Sequence, residues 1–433
     1  APSPYTRQLL DPSTQDPPAR AEIVQNALAE TGISPENVSG ITVFTTQSAT
    51  RLSRAIEEDI VSRDYVISSP SCTPKDGYQE CNTTLNVQDY RAEDHIVPPD
   101  SHGEPQGTYA LPVRIWLPST GQAPYPTILC GHGLGGDKSQ CELLAQWASP
   151  EGVAVIATDA VEHGEHPGRT DPGIDFLADF MIFGISLTPP GLDALRLRDN
   201  FRQSAWDKLQ LIEAIHDGID ANADGIKDLD FNRLSYIGVS LGAIMGPEPM
   251  ALRNDLNGGV LVVGGARLSR LIQNSDSFSM LVDVMRPSGT GDGDVDRFFP
   301  LLQTVIDPAD PMIWGRELPE QNLLLMLAYQ DTIIPNSSNG DLARVLGIPG
   351  VGTEIWEIPE LDFVAAPVQA NLPQGHTGGV LQFASVQMEA GGEWVAADHS
   401  YLHESIQGSQ QILDFLLPIT HQQTPTISEP ERP

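Results

Sequence analysis

From residue 109 onward, short apolar runs alternate with longer stretches of helical period. "YALPVRIWLP" (109–118), "YPTILCGHG" (125–133), "GVAVIATDA" (152–160), "LSYIGVS" (234–240), "GGVLVVGG" (258–265) and "NLLLMLAYQ" (322–330) predict buried strands. Between and after them, "KSQCELLAQWAS" (138–149), "RLRDNFRQSAWDKLQLIEAIHDGI" (196–219, a long amphipathic one), "LGAIMGPEPMALRN" (241–254), "SNGDLARVLG" (338–347) and "ESIQGSQQILDFLLP" (404–418) predict helices. Strands buried on both faces and separated by helices imply an α/β fold, a mostly parallel sheet covered by helices on both faces.

Two long segments, about 164–194 and 268–318, interrupt the alternation and are too apolar for solvated loops. They are read as cap or lid segments, the alternative being extra core or a dimer surface. Upstream, "ARAEIVQNALAETG" and "SATRLSRAIEEDIVSRD" predict two helices around the β-type run "GITVFTTQ", a small α/β unit. Residues 1–19 read as an extended arm, the Cys72–Cys81 stretch as a turn-rich loop, and 97–107 as a linker. The expected division is an N-terminal accessory domain at 1–107, a catalytic domain at 108–421 and a flexible tail at 422–433.

Candidate chemistry begins at Gly238-Val239-Ser240-Leu241-Gly242, where a strand should end and a helix begin. Small residues two positions before and after a serine permit the tight reversal that exposes its hydroxyl. Such a hydroxyl is a weak nucleophile without a base. About a hundred residues earlier, His132-Gly133-Leu134-Gly135-Gly136 follows an apolar strand, so the amides of Leu134 and Leu241 are candidate oxyanion donors. Asp331, just beyond "LLLMLAYQ", is the candidate acid; Asp341 is the runner-up but lies in a helical stretch. His376, His399 and His403 compete as base, and His399 is preferred because its loop precedes the last helix with room to approach the serine.

Serine, aspartate and histidine in that chain order resemble the α/β-hydrolase superfamily, through "HGLGG", "GVSLG", "YQDTIIP" and "ADHSYL". More narrowly, "ITVFTTQS", "RLSYIGVSLGAIMG" and "HTGGVLQF" are similar to stretches of bacterial virulence-factor-type lipases, which carry a dedicated N-terminal domain. The resemblance implies an α/β-hydrolase fold and a serine carboxylic-ester hydrolase, an esterase or lipase acting on acyl esters or lipids without a cofactor for the chemistry. Alternatives are a lysophospholipase, a serine peptidase or amidase on the same fold, and a non-enzymatic surface-binding protein.

Composition narrows the partners. With 58 acidic and 24 basic residues, the chain carries a formal net charge of −34, which repels nucleic acid and anionic membranes. No apolar run reaches the roughly 18 residues of a membrane helix. The oligomeric state cannot be read from the sequence. Lysine occurs only at 75, 138, 208 and 227, a composition suited to a salty medium. The cysteines form two close pairs, Cys72/Cys81 and Cys130/Cys141, and an even count at such spacing points to an oxidising, exported location. The chain opens at "APSPYTRQLL" with no signal peptide in view, as a trimmed bacterial export product would. Finally, Asp220, Asn222, Asp224, Ile226 (through its carbonyl), Asp228 and Asp230 match a structural calcium loop that lacks the final glutamate of an EF-hand, or else a solvated acidic turn. "VEHGEHPG" (161–168) lacks metal-ligand spacing and is read as polar rim of the pocket.

Overall fold

The computed structural model describes the chain except residues 1–2, 12–17, 42, 44–45, 171–177, 188–189 and 254. It divides into two compact units, Ala1–Ser48 and Ala49–Pro433. In the first, α1 (Pro4–Leu10) and α2 (Pro18–Thr31) bury Leu9, Val24 and Leu28 in a small cluster. The expected extended arm is therefore helical over residues 4–10, because Ser3 caps the first turn and Pro4 sits where its missing N–H is harmless. Part of the expected "GITVFTTQ" strand lies outside the described residues.

The second unit is built on one sheet, which among the described residues has eleven strands in the order β1-β2-β3-β5-β4-β8-β9-β10-β13-β11-β12. These are β1 (Ser71–Pro74), β2 (Tyr78–Asp89), β3 (Gly107–Pro118), β4 (Tyr125–Gly131), β5 (Ala154–Thr158), β8 (Leu229–Val239), β9 (Gly258–Val262), β10 (Asn322–Ala328), β11 (Gly350–Val351), β12 (Phe363–Val364) and β13 (Gly378–Phe383). Pairing is parallel from β5 through β12 and antiparallel from β1 to β3 and between β3 and β5. The wholly buried runs of β5, β9 and β10 occupy its interior.

One face carries α3 (Arg51–Val61), α5 (Ala194–Asp217), α7 (Pro247–Leu252), α11 (Pro311–Trp314) and α12 (Asn336–Leu346); the other carries α4 (Glu142–Ala148) and α13 (Ile406–Thr420). Short hairpins β6 (Ile185–Leu187) with β7 (Pro190–Leu192) and β14 (Ser385–Gln387) with β15 (Trp394–Ala396) lie outside the sheet. The remaining helices are α6 (Leu241–Met245), α8 (Leu268–Asn274), α9 (Asp276–Met285) and α10 (Asp292–Ile306).

Three expectations differ from this architecture. Residues 49–107, grouped by the sequence with an accessory domain, supply β1 and β2 to the main sheet, and the turn-rich cysteine stretch is the β1–β2 hairpin with Cys72 opposite Cys81. Helix α5 shows no free polar face: it is buried from Asp199 to Ile215. Its polar side chains instead serve the chain crossing it, Gln210 accepting from the Gln88 amide at 2.6 Å, Gln203 from Tyr90 at 3.0 Å and Asp199 from Val97 at 2.8 Å. The tail is not free either, since Ile427 is buried and exchanges backbone hydrogen bonds with Val368 at 2.9 and 3.0 Å.

Candidate active site

The chain reverses at Ser240, between β8 and α6, in a strained conformation with φ 53° and ψ −111°. The two flanking glycines are required sterically: a Cβ on Gly238 would collide with the Gly242 carbonyl, and one on Gly242 with the Gly131 carbonyl. The Ser240 amide donates to Val262 at 2.9 Å and the Gly242 amide to His132 at 3.0 Å, which pins the turn to β9 and to the loop after β4.

Asp331 and His399 converge on this serine. His399 Nε2 lies 2.7 Å from Ser240 Oγ, and its Nδ1 lies 2.8 and 3.0 Å from the two carboxylate oxygens of Asp331. Asp331 Oδ1 also accepts from the amides of Ile333 and Ile334 at 3.0 and 2.8 Å, which fixes the carboxylate. With the carboxylate claiming the Nδ1 proton, Nε2 is left as acceptor for the serine hydroxyl. All three side chains are buried, and Ser240 and His399 line a pocket of about 660 Å³. The rejected candidates are accounted for: Asp341 is buried in α12 against Arg344, Arg270 and Arg267, and His376 precedes β13 away from the pocket lining. His403, the other candidate base, lines the pocket without touching Ser240.

The Gly133–Gly136 turn borders Ser240 closely, since a Cβ on Gly133 would sit 3.5 Å from the serine Cβ. Its first amide is taken, as Gly133 N–H donates to Gln140 Oε1 at 3.1 Å. The peptide that follows is aimed by His132. The Ala160 amide donates to His132 Nε2 at 2.9 Å, so the ring proton sits on Nδ1 and is donated to the Gly133 carbonyl at 2.9 Å. Because a trans peptide is planar, turning the Gly133 C=O toward His132 turns the Leu134 N–H the opposite way. Burial and then the neighbouring His163 lower the His132 pKa to about 4, so the ring is neutral at pH 7.

No family model and no curated protein sequence matches the chain. Among solved structures it is similar to acetyl xylan esterase 1 from Thermoanaerobacterium sp. JW/SL YS485, at 13% identity and a TM-score of 0.51, covering 85% of this chain and 92% of the other. It is also similar to an acetyl xylan esterase from Paenibacillus sp. R4, at 15% identity and a TM-score of 0.46, covering 75% and 89%. The chain has the α/β-hydrolase fold.

Within that α/β-hydrolase fold, the two segments that interrupt the alternation come together. Ile182 and Phe183 from the first and Leu268, Ile272, Phe278, Phe299 and Leu302 from the second form one buried cluster with Leu241, Ile244 and Met245 of α6. Residues 171–177 and 188–189 of the first segment lie outside the described part. Both cysteine pairs are closed, and the Cys130–Cys141 bridge, with a sequence separation of 11, ties the end of β4 to the turn before α4 and encloses the whole Gly133–Gly136 turn. Beside it, Lys138 is buried between Asp159 and Glu165 at 2.7 Å each. The histidines of "VEHGEHPG" are interior, not rim: His163 is buried, and His166 donates from Nε2 to buried Asp207 at 2.9 Å. These pairings are through-space facts with no sequence signal beyond residue type.

The expected calcium ligands take different partners. Asp220, Asn222 and Asp224 accept from amides of the turn itself, at Asp224, Gly225 and Ile226. Asp228 is buried and accepts from the Ala221 amide at 2.7 Å, burial pushing its pKa up to about 6. Asp230 pairs with Arg233 at 2.6 Å. Among the described residues, the group whose candidate ligand atoms lie within 4.8 Å of one another is instead Glu213, His216 and Asp217. Glu213 is already engaged by Arg253 at 2.6 Å. Among the described residues no helix is long and apolar enough to cross a membrane.

Proposed function

We propose that the protein is a serine carboxylic-ester hydrolase. The observation that carries this reading is the unbroken line from Asp331 through His399 to Ser240, with 2.8 and 2.7 Å contacts, whose last two members line a pocket. His399 Nε2 takes the Ser240 proton as Oγ adds to the ester carbonyl, and the carbonyl electron pair moves onto oxygen. The Leu134 and Leu241 amides stabilise that oxyanion, the second with the positive end of α6 behind it. Collapse expels the alcohol, which receives the proton from His399, and leaves an acyl-enzyme. Water then repeats the sequence, with His399 again as base, and frees the acid. Asp331 holds the histidine's tautomer and balances its charge while it is protonated.

The narrower reading, a lipase of virulence-factor type with a dedicated N-terminal domain, rests on the short stretches quoted above. Export, to the periplasm, cell surface or medium, is supported by two closed disulfides. Ser240→Ala is expected to lower turnover of p-nitrophenyl esters by roughly ten-thousand-fold or more and to abolish labelling by a serine-directed phosphonate, with the melting temperature preserved. Retained turnover in that variant overturns the assignment.

A further inference from the structure

The pocket in front of Ser240 has two unlike walls. One is apolar: Leu134, Phe180, Phe278 and Ile333 line it, and all four belong to the cluster that the two interrupting segments share with α6. The other is mainly polar: Gln140, Glu142 and Gln146, with Leu143 among them, come from α4 and the turn before it, and His403 and Glu404 from the loop entering α13. Since α4 and α13 pack against each other, these side chains form one surface.

That surface is negatively charged. Glu142 accepts the Tyr78 hydroxyl at 2.6 Å through one oxygen. Burial, and then this bond, push the Tyr78 pKa up to about 12, so the phenol stays the donor to Glu142. The second Glu142 oxygen is left for a ligand. Glu404 is exposed, and its nearest basic group, His403 at 3.7 Å, is held neutral by burial, which lowers its pKa. Among the described lining residues there is no lysine or arginine.

Chemistry assigns the walls to the two halves of an ester. The departing alcohol receives its proton from His399 Nε2, so it leaves beside that residue. His399 shares its loop with His403 and Glu404. The alcohol therefore meets the polar wall, and the acyl group turns to the apolar one.

Building on the esterase reading of Ser240, we infer that the preferred substrate joins an apolar acyl group to an uncharged, hydroxyl-rich alcohol, and that Glu142 and Glu404 exclude anionic alcohols. Several hydroxyls find donors and acceptors along Gln140, Gln146 and the two carboxylates, whereas a phosphate meets like charge with no cation to offset it.

The test compares kcat/KM of the full chain at low salt on three butyrates that differ only in the alcohol: glycerol, hexanol and glycerol 3-phosphate. The glycerol ester is expected to exceed the phosphate ester by about tenfold or more, and the hexyl ester by about threefold. In the double variant Glu142→Gln, Glu404→Gln the gap between glycerol and phosphate esters should shrink about fivefold. Glu404→Gln alone, at an exposed site, should produce part of that change. A phosphate ester turned over as well as the glycerol ester, a hexyl ester turned over faster, or a gap unmoved in both variants overturns the inference. If the wild-type chain turns over none of the three, and Ser240→Ala matches it, the esterase reading falls and the substrate inference with it.

Discussion

Ser240 is held in a backbone conformation that a serine rarely adopts, and His132 is the residue that completes its surroundings. The imidazole touches no reacting atom; it fixes the Gly133–Leu134 peptide through the Gly133 carbonyl and holds Ala160 on its other nitrogen. His132→Ala frees that peptide to rotate and leaves a buried amide unpaired, costing about 1–3 kcal/mol of stability. Under the proposed mechanism an oxyanion donor is misdirected and not deleted, so kcat should fall about 10- to 100-fold with KM changed far less, short of the loss for removing a donor outright. Titrating active sites with a serine-directed phosphonate separates this from a purely structural role, which would lower the number of reactive sites and leave kcat per reactive site unchanged. The pH dependence has a definite sign. His132 has a folded pKa of about 4, below the ordinary 6.5, so on acidification the unfolded chain takes the proton first. Its contribution to stability is complete above about pH 6.5 and is lost as pH falls toward 4. Glu248, pushed up to about 7 by burial, works in the opposite sense, stability falling as pH rises from 4.5 to 7. Comparing melts of wild type and His132→Asn from pH 7 to 4 cancels the Glu248 contribution, and the gap between them should narrow toward acid pH.

At the level of elements, the two disulfides have different jobs although their loops are alike in length. Cys72–Cys81 joins two strands that already pair in register, whereas Cys130–Cys141 closes the turn that presents Leu134. Closing loops of 9 and 11 residues restricts the unfolded chain by about 3 kcal/mol in each case. Replacing either pair by serines should therefore lower the melting temperature comparably, while only the Cys130/Cys141 variant should lose activity, about tenfold in kcat. Equal kcat in both variants would show that Gln140, Lys138 and His132 hold the turn unaided. The acidic loop between α5 and β8 poses a related question of what braces the strand leading to Ser240. A calcium ion there is a proposal with Asp220, Asn222, Asp224 and the Ile226 carbonyl available to it, Asp228 and Asp230 being engaged elsewhere. It predicts that chelation lowers the melting temperature and that added calcium restores it; a loop held by its own amide bonds leaves the melting temperature unmoved by chelation and sensitive only to Asp220→Ala.

Across the whole molecule, what could be read from the sequence follows from how each part is stabilised. Strands buried on both faces, such as Leu323–Ala328 in β10, announce themselves as apolar runs, and the serine turn announces itself through the glycines that sterics demand. Strand β2, "YQECNTTLNVQD", hides its alternation behind threonine and asparagine, and it is secured by the polar face of α5 that seemed destined for water. The His132 tautomer, the Lys138 ion pairs and the pocket-facing His403 depend on partners distant in sequence, so no local pattern reports them. The charge balance is legible, and the structure sharpens its consequence. Two of the four lysines, Lys138 and Lys208, are buried, the second with a pKa lowered to about 8 by burial, and so are Arg91, Arg202 and Arg253, so the exterior is left with few cations. Even if every one of the 24 basic residues neutralised an acid, the formal charge of −34 would remain as repulsion that the unfolded chain relaxes by expanding. Salt weakens exposed ion pairs and this repulsion together, but isolated exposed pairs contribute only about 0–1 kcal/mol each, and the unpaired carboxylates outnumber them. Shortening the Debye length from about 10 Å at 0.1 M to about 3 Å at 1 M should therefore raise the melting temperature at pH 7, by roughly 5 °C or more. Calorimetry across sodium chloride concentrations checks this, with potassium chloride as a control for specific ion effects. A melting temperature that stays flat or falls would mean that the paired surface outweighs the unpaired one, and that the acidic exterior serves something other than life in salt.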